Sequence, residues 1–356
     1  MNRDVAPCDR CAIRSRIYQT TRFAEFYMLP ILVTLAITTS LTTSTPASAP
    51  LIPASSHRAS DVRITVLSTM LAGDPGRGTG EWGYSALIEV DGKRLLLDTG
   101  ARPETVLRNA SELGIDLSTV TDVVLTHGHD DHTGGLVTLR RELSKKNPAA
   151  MSRVHVARGI FWERLNAAGV AIPDGSLKAL RAEFERLGGS FVEHTGAVEL
   201  VPGVWFTGPV PRVHAERNWS GSRRVRSPGG DVEDNVPEDA SVVIDTPEGL
   251  IVVSGCGHAG IVNTIEYARA VVRNAPVVAA VGGFHLFAAT DAQLAWTSGK
   301  LKESGLAYLL GGHCTGIEAV YRIRALAGLT RKTAVVSAVG STFTRGRGIT
   351  ALPLAG

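Results

Sequence analysis

Six consecutive positions, His127-Gly128-His129-Asp130-Asp131-His132, hold three imidazoles and two carboxylates. Those are the ligand types that zinc, manganese and ferrous iron accept. The run follows an apolar segment, Asp122 to Leu125, which predicts a buried strand. A loop leaving that strand can turn His127 and His129 to one side and Asp131 and His132 to the other. Two metals can then be held close together. Gly128 permits a tight turn, and Gly134-Gly135 lets the backbone run close to the site. A solvated polar turn accounts for one histidine, but not for three at this spacing.

Three later segments have a common design: an apolar strand, a glycine-rich loop and a histidine. They are Gly249 to Ser254 leading into Gly255-Cys256-Gly257-His258, Val281-Gly282-Gly283-Phe284-His285, and Tyr308-Leu309-Leu310-Gly311-Gly312-His313-Cys314. Layered α/β proteins build active sites from such loops on a rigid sheet. The linking segments Ile261 to Arg273 and Asp291 to Ser304 predict helices, the second capped by Asp291. Glu318 to Ala327 predicts another helix, and Thr333 to Val339 a final strand. Upstream, Val62 to Leu67, Trp82 to Val90 and Lys93 to Gly100 predict three strands. Asp98, closing the last of these, reads as a partner that orients a ligand histidine rather than as a ligand.

Helices are predicted over Pro103 to Leu113, with Gly114 just past the end, and over Gly135 to Ser144. A further helix, Ser176 to Leu187, lines Leu177, Leu180, Phe184 and Leu187 on one face. Phe191 to His194 and Val198 to Leu200 predict paired strands, followed by strands at Val204 to Gly208 and Ser241 to Ile244. His155 reads as solvent-facing or hydrogen-bonded. Two readings of Trp82 stay open, a platform for substrate or packing at a strand start. The polar stretch Pro209 to Pro237 gathers Arg212, Arg217, Arg223, Arg224 and Arg226. Such a loop either holds an anion bidentately or is a solvated insertion whose arginines pair with Asp231, Glu233 and Asp234.

The chain has 356 residues, 44% of them hydrophobic and 20% charged, with a net charge of +3. That balance supplies a core and gives no electrostatic footprint for nucleic acid. Arg3, Arg10, Arg14, Arg16 and Arg22 precede an apolar run of ten residues, Met28 to Ile37. The run has signal-peptide length and falls short of the ~20 residues of a membrane span. Ala47-Ser48-Ala49 offers a small-x-small cleavage site. Residues 1–60 therefore read as a signal peptide or leader with a flexible linker, and residues 61–356 as the folded domain. The expectation is an exported protein, periplasmic or secreted, with no stable membrane association once the leader is removed. A cytoplasmic or leader-anchored protein is the alternative. Cys8-Asp9-Arg10-Cys11 has redox or zinc spacing but no second cysteine pair to complete a site.

The His-x-His-x-Asp-His run, the Leu-Leu-Asp-Thr-Gly ending at Gly100 and the upstream strands resemble the metallo-β-lactamase superfamily, over the span from Asp61 to Thr344. The motifs Gly-Cys-x-His-x-Gly, Gly-Gly-Phe-His and Gly-Gly-His-Cys-Thr-Gly resemble its 7,8-dihydropterin-6-yl-methyl-4-(β-D-ribofuranosyl)aminobenzene 5'-phosphate synthase-like branch. The resemblance implies an α/β fold, a four-layer αββα sandwich with metals at one edge. It also implies a ligand set. Cys256 matches the Asp/Cys position and His313 the last histidine, while His258 stands in for a third histidine. His194, in a Glu-His-Thr-Gly context, is similar to the superfamily's usual third metal histidine, but two further strands precede the next motif, so it is kept only as an alternative to this set. One metal then takes His127, His129 and His258, and the other Asp131, His132 and His313. His285 is a ligand alternative or a general acid facing substrate, and Cys256 is a ligand or a small buried residue. Two divalent ions are implied, zinc first, with manganese and iron open.

A metal of this kind lowers the pKa of water towards ~7. Asp130 or Asp131 would accept the proton, and His285 would supply one to the leaving group. The expected activity is hydrolysis of a small, anionic, phosphorylated or ester-like substrate. A synthase-like transferase that displaces pyrophosphate is the first alternative, and a non-catalytic binding member of the fold the second. A di-iron redox protein, a nuclease and a β-lactamase proper fit the motifs less well.

Overall fold

A computed structural model describes residues 57–173, 176–219 and 223–353. The basic leader, its apolar run, the cleavage site and the first two cysteines lie outside the described residues. Among the described residues, no helix is long and apolar enough to cross a membrane.

Two sheets face each other. The first has eight strands, in the order Gly348–Thr350, Thr342–Thr344, Val62–Ser68, Ser85–Val90, Lys93–Leu97, Asp122–Val124, Arg153–Ala157 and Ser190–His194. The second has seven: Ala334–Val336, Tyr308–Gly311, Val277–Gly282, Gly249–Ser254, Ser241–Thr246, Val204–Phe206 and Val198–Val201. Side chains alternate across each strand, and the sequence uses both faces. Ile64, Val66, Ile88 and Leu97 point inward against Val242, Ile244, Ile251 and Val253, forming the central core. Leu67, Leu87 and Leu96 point outward, into a second cluster with Val106, Leu139 and Phe184. These three come from the helices Thr105–Glu112, Leu136–Leu143 and Lys178–Arg186. On the far side, Val243, Val252 and Ala280 pack on Ile265, Leu294 and Ile323. Those belong to Ile261–Val271, Asp291–Glu303 and Ile317–Leu326. The result is four layers, αββα.

Strands buried on both faces need continuous apolar runs, which explains Leu250 to Val253. From Gly249–Ser254 to Ala334–Val336, four strands of the second sheet run parallel. So do the four from Lys93–Leu97 to Ser190–His194 in the first. Parallel runs align the carboxyl ends of their strands, and the loops at those ends carry the site.

Several expectations need correction. Phe191 to His194 and Val198 to Leu200 do not pair with each other. The first lies at the edge of one sheet and the second at the edge of the other, so residues 195–197 cross between sheets. Asp291 is not the cap of its helix. Thr290 is, since its hydroxyl accepts from Gln293 N–H while the Gln293 side chain accepts from Thr290 N–H. Asp291 sits in the first turn and pairs with Arg322 at 3.1 Å. The strand predicted at Thr333 to Val339 is shorter, Ala334–Val336, and is not the last. The chain returns to the first sheet, where Thr342–Thr344 pairs with Val62–Ser68. Finally, Pro209 to Pro237 is not all loop. Arg224–Ser227 and Gly230–Glu233 form a hairpin that adds Arg164–Leu165 as a third strand.

Candidate metal centre

Asp98 follows the strand Lys93–Leu97, and Thr126-His127 follow the neighbouring Asp122–Val124. Register Leu97↔Val124 brings the two loops side by side. Asp98 is fully buried at φ +54°. Its carboxylate accepts from Thr126 N–H and from the Thr126 hydroxyl, both at 2.8 Å. It also accepts from His132 Nδ1 at 2.7 Å. With its proton given to Asp98, the Thr126 oxygen accepts from His127 Nδ1 at 3.1 Å. This network assigns the tautomers: His127 and His132 both carry hydrogen on Nδ1 and present Nε2 as a lone pair. Gly255, from the opposite sheet, passes so close that a Cβ there would lie 2.1 Å from Asp98 Oδ2 and 2.9 Å from His132 Nδ1.

The second sheet supplies the other half. His258 Nδ1 donates to the Asn218 carbonyl at 2.5 Å, leaving its Nε2 buried and without a partner. Asp239 holds the turn by accepting from Ala259 N–H at 2.8 Å. His313 is buried at φ +48°, with its N–H on Thr69 Oγ1 at 3.0 Å. His285 stands at φ +44°. Non-glycine residues at positive φ are uncommon, and such strain gathers at functional sites.

The ligand atoms of His127, His129 and His258 lie within 4.8 Å of one another, as do those of Asp131, His132 and His313. Within the first set, His127 Nε2 and His129 Nδ1 are 3.0 Å apart. Within the second, His132 Nε2 and His313 Nε2 are 3.2 Å apart, and Asp131 Oδ2 is 3.3 Å from His313 Nε2. Tetrahedral zinc with bonds of about 2.0–2.1 Å separates two ligand nitrogens by about 3.3 Å. Those spacings and the partnerless His258 Nε2 fit a divalent metal. Burial, then the neighbouring imidazoles, push His127 and His258 well below the ordinary histidine range. The neutral imidazole that results is the form that binds metal. Burial also disfavours a charge on His132, but Asp98 more than offsets it and raises that ring to about 9, so a metal bound at its Nε2 would take the place of a proton there. Burial opposes ionisation of Asp131 too. The hydrogen bond from His313 and the nearby rings nevertheless hold its carboxyl below the usual range.

Cys256 is buried and within ligand reach of His127 and His132, and also of His258 and His285. Its Sγ lies 3.0 Å from that of Cys314, with both thiols free. His285 is half-buried beside His258, with ring centroids 4.4 Å apart. Asp130 is exposed and lines the cleft beside Asp131. His194 lies elsewhere, hydrogen-bonded at 3.0 Å to His155, which in turn bonds Asp122 at 3.0 Å. Most of the loop arginines are engaged. Arg217 pairs with Glu233 and Arg226 with Asp231 and Glu163, while Arg224 and Arg212 bond backbone carbonyls. Arg223 lines the cleft with no ion pair to the described residues. Trp82 is 51% exposed and lies over His313, centroids 4.9 Å apart, a placement at the mouth of the cleft rather than in a core. Three supports went unread in the sequence: the Asn218 carbonyl, Thr126 and Thr69. Only Thr126, flanking the first histidine, carried a local signal.

The profile of the metallo-beta-lactamase superfamily matches residues 79–272. A Methanocaldococcus jannaschii protein named 7,8-dihydropterin-6-methyl-4-(beta-D-ribofuranosyl)-aminobenzene-5'-phosphate synthase is 31% identical over 270 residues, covering 74% of this chain and 90% of that protein. An uncharacterised protein of the same organism is 26% identical over 247 residues, covering 68% and 88%. The crystal structure of a metal-dependent hydrolase of the β-lactamase superfamily aligns with a TM-score of 0.63 at 27% identity, over 79% of this chain and 98% of that one. With its fold, its His-x-His-x-Asp-His loop and these matches, this chain belongs to the metallo-β-lactamase superfamily, on the branch that resembles the dihydropterin aminobenzene phosphate synthase.

Proposed function

We propose that the protein is a metal-dependent hydrolase of a small anionic ester, with phosphoesters the favoured class. One observation carries the reading: two three-residue ligand groups, His127/His129/His258 and Asp131/His132/His313, both open onto one cleft, the first through His129 and His258 and the second through Asp131. Divalent metals, zinc first, supply Lewis acidity and activate water when bound in such a cleft. The chain's own residues do the rest. Asp98 and Thr126 fix the tautomers of His132 and His127, and the Asn218 carbonyl fixes that of His258. Asp130 or Asp131, both on the wall of the cleft, would accept the proton of the attacking water. His285, at the junction of the cleft and the neighbouring cavity, is placed to give one to a leaving group. Arg223 offers a cation to an anionic substrate.

A second reading is favoured by the 31% identity to a protein named as a synthase. There the same cleft would bind a pyrophosphate leaving group, which the nucleophile of a second substrate, in place of water, displaces from carbon. Metal content of the full chain, for wild type and His258→Ala, tests the site together with phosphomonoester, phosphodiester, thioester and β-lactam substrates. Two ions per chain falling towards one in the variant, with phosphoester turnover in the wild type, is the expected result. Release of pyrophosphate from an added alkyl pyrophosphate, dependent on an amine acceptor and without phosphoester hydrolysis, favours the transferase. Full metal occupancy in His258→Ala removes His258 from the ligand set.

A further inference from the structure

Beside the metal cleft lies a second cavity of about 610 Å³. It shares two walls with the cleft, Trp219 and His285, so the two are continuous. Its apolar lining is led by Phe287 and Trp296, with the small residues Ala288, Ala289 and Ala292, and polar side chains complete the wall. Phe287 is 55% exposed and Trp296 40%, unusual for large rings, and exposed apolar area of this kind marks a binding surface. Large rings and short alanine side chains in one lining make a slot that can admit a flat group. The volume falls in the range of small-molecule sites, roughly 300–1,000 Å³.

The polar groups around the slot are spent on the protein itself. Glu216 accepts from the N–H groups of Val262 and Asn263 at the start of their helix. Gln293 completes the capping box with Thr290. His214 pairs with Glu266 at 2.8 Å. Arg217 pairs with Glu233 and lies over the Trp219 ring at 4.7 Å. Trp219 is further fixed by its indole N–H on Glu233 at 3.2 Å. The wall is therefore preorganised, and none of these charges is left to meet a charged ligand.

We infer that this cavity binds a planar aromatic group of the substrate, whose anionic reacting group lies in the adjoining cleft. The inference rests on the hydrolase reading for what reacts, but not for what binds. A flat ring stacks on Trp296, Phe287 and Trp219 with little loss of conformational freedom. His285 then stands between the aromatic group and the reacting group, where a leaving group departs. The substrate class is thus an aryl-bearing phosphoester or related anionic ester, rather than a short alkyl ester.

Phosphonates test binding without turnover, because their C–P bond is not an ester. Affinities of 1-naphthylphosphonate, hexylphosphonate and methylphosphonate for the metal-loaded full chain are measured by calorimetry. The same is done for Trp296→Ala and for Ala292→Trp, which fills the slot, with metal content confirming that each variant is intact. Expected is a naphthyl-over-methyl preference of at least ~10-fold in the wild type, the scale set by stacking plus ring burial, and most of it lost in both variants. Equal affinity for naphthyl and methyl probes overturns the inference. So does a hexyl probe that binds as tightly as naphthyl, or a preference that both variants keep. Should naphthyl preference stand while no ester is hydrolysed, the hydrolase reading falls and the aromatic site remains. Turnover of short alkyl esters with no aryl preference does the opposite: the hydrolase stands and the aromatic site falls.

Discussion

Replacing Asp98 with Asn isolates the control of histidine tautomers. Asn tolerates the φ of +54° about as well as Asp, so the backbone is not the variable. The amide oxygen can still accept from Thr126 N–H. Its NH2 group then takes the place of the oxygen that accepts from the Thr126 hydroxyl and from His132 Nδ1. His132 can answer only by moving its hydrogen to Nε2, the nitrogen that faces His313. The Thr126 hydroxyl turns to accept, and its hydrogen swings towards His127 Nδ1, which pushes that ring to the wrong tautomer as well. Loss of the partner of one ligating histidine costs ~10–100-fold in metal affinity. With two rings affected, the upper end is expected, ~2.7 kcal/mol. Zinc affinity is measured by competition with a chromophoric chelator, and stability of the metal-free protein by urea unfolding. The unfolding experiment separates the lost hydrogen bond to a charged group, about 1.5–3 kcal/mol, from the loss of binding. A zinc affinity within about twofold of wild type, against the ~10–100-fold loss expected, would refute the claim that Asp98 sets both tautomers.

Gly255→Ala drives a methyl into the same carboxylate, so metal content and folded yield should fall together; normal metal content shows that the Asp98 loop can yield. Arg164 is nearly buried, bonding Glu238 at 2.5 Å and Asp234 at 3.2 Å, beneath the histidine loop whose Gly128 N–H also donates to Glu238. Arg164→Met should cost ~3–5 kcal/mol in urea unfolding by leaving buried charge unpaired, with part of the loss recovered by adding Glu238→Gln; a loss below ~1 kcal/mol counts against this. Burial opposes the charge on Asp122, but His155 and Arg153 hold its carboxyl below the usual range. Its stabilising contribution is therefore present above the unfolded value near ~4 and lost as pH falls through the depressed one. Asp122→Asn should destabilise at pH 7 with a gap that closes on acidification, and a gap that widens contradicts the sign.

The site is more legible in the sequence than the fold's connections are. Four apolar strands ending in histidine loops read directly, because glycine and histidine at a strand end are local signals. Asp98 reads as a support because it closes a strand of the same kind. The partners that fix His258 and His313, the Asn218 carbonyl and Thr69, do not. A backbone carbonyl carries no side-chain signature, and Thr69 meets His313 from the other end of the chain. The hairpin in the arginine-rich stretch is hidden for a similar reason. Its third strand is two residues long and some sixty positions earlier, Arg164–Leu165. The change of sheet after His194 leaves no mark, since three polar or small residues suit a hairpin and a crossover equally. The helix cap is missed by one position, because Thr290 and Asp291 are both good caps and only the Gln293 partner decides.

The last strands return to lie against the first, with Thr344 opposite Arg63. During synthesis, Val62–Ser68 therefore has an open edge until nearly all of the domain has left the ribosome. An open edge invites pairing with other chains, and contacts so distant in sequence slow folding. The histidine loops cannot be locked in place before that closure, so a chain stopped short of Thr342 would carry every ligand and still present an unfinished sheet. Circular permutation tests this: linking the last strands to the first through a designed connection and opening the exposed turn at Asp91-Gly92 would show whether order of synthesis, rather than final structure, limits the yield of folded protein.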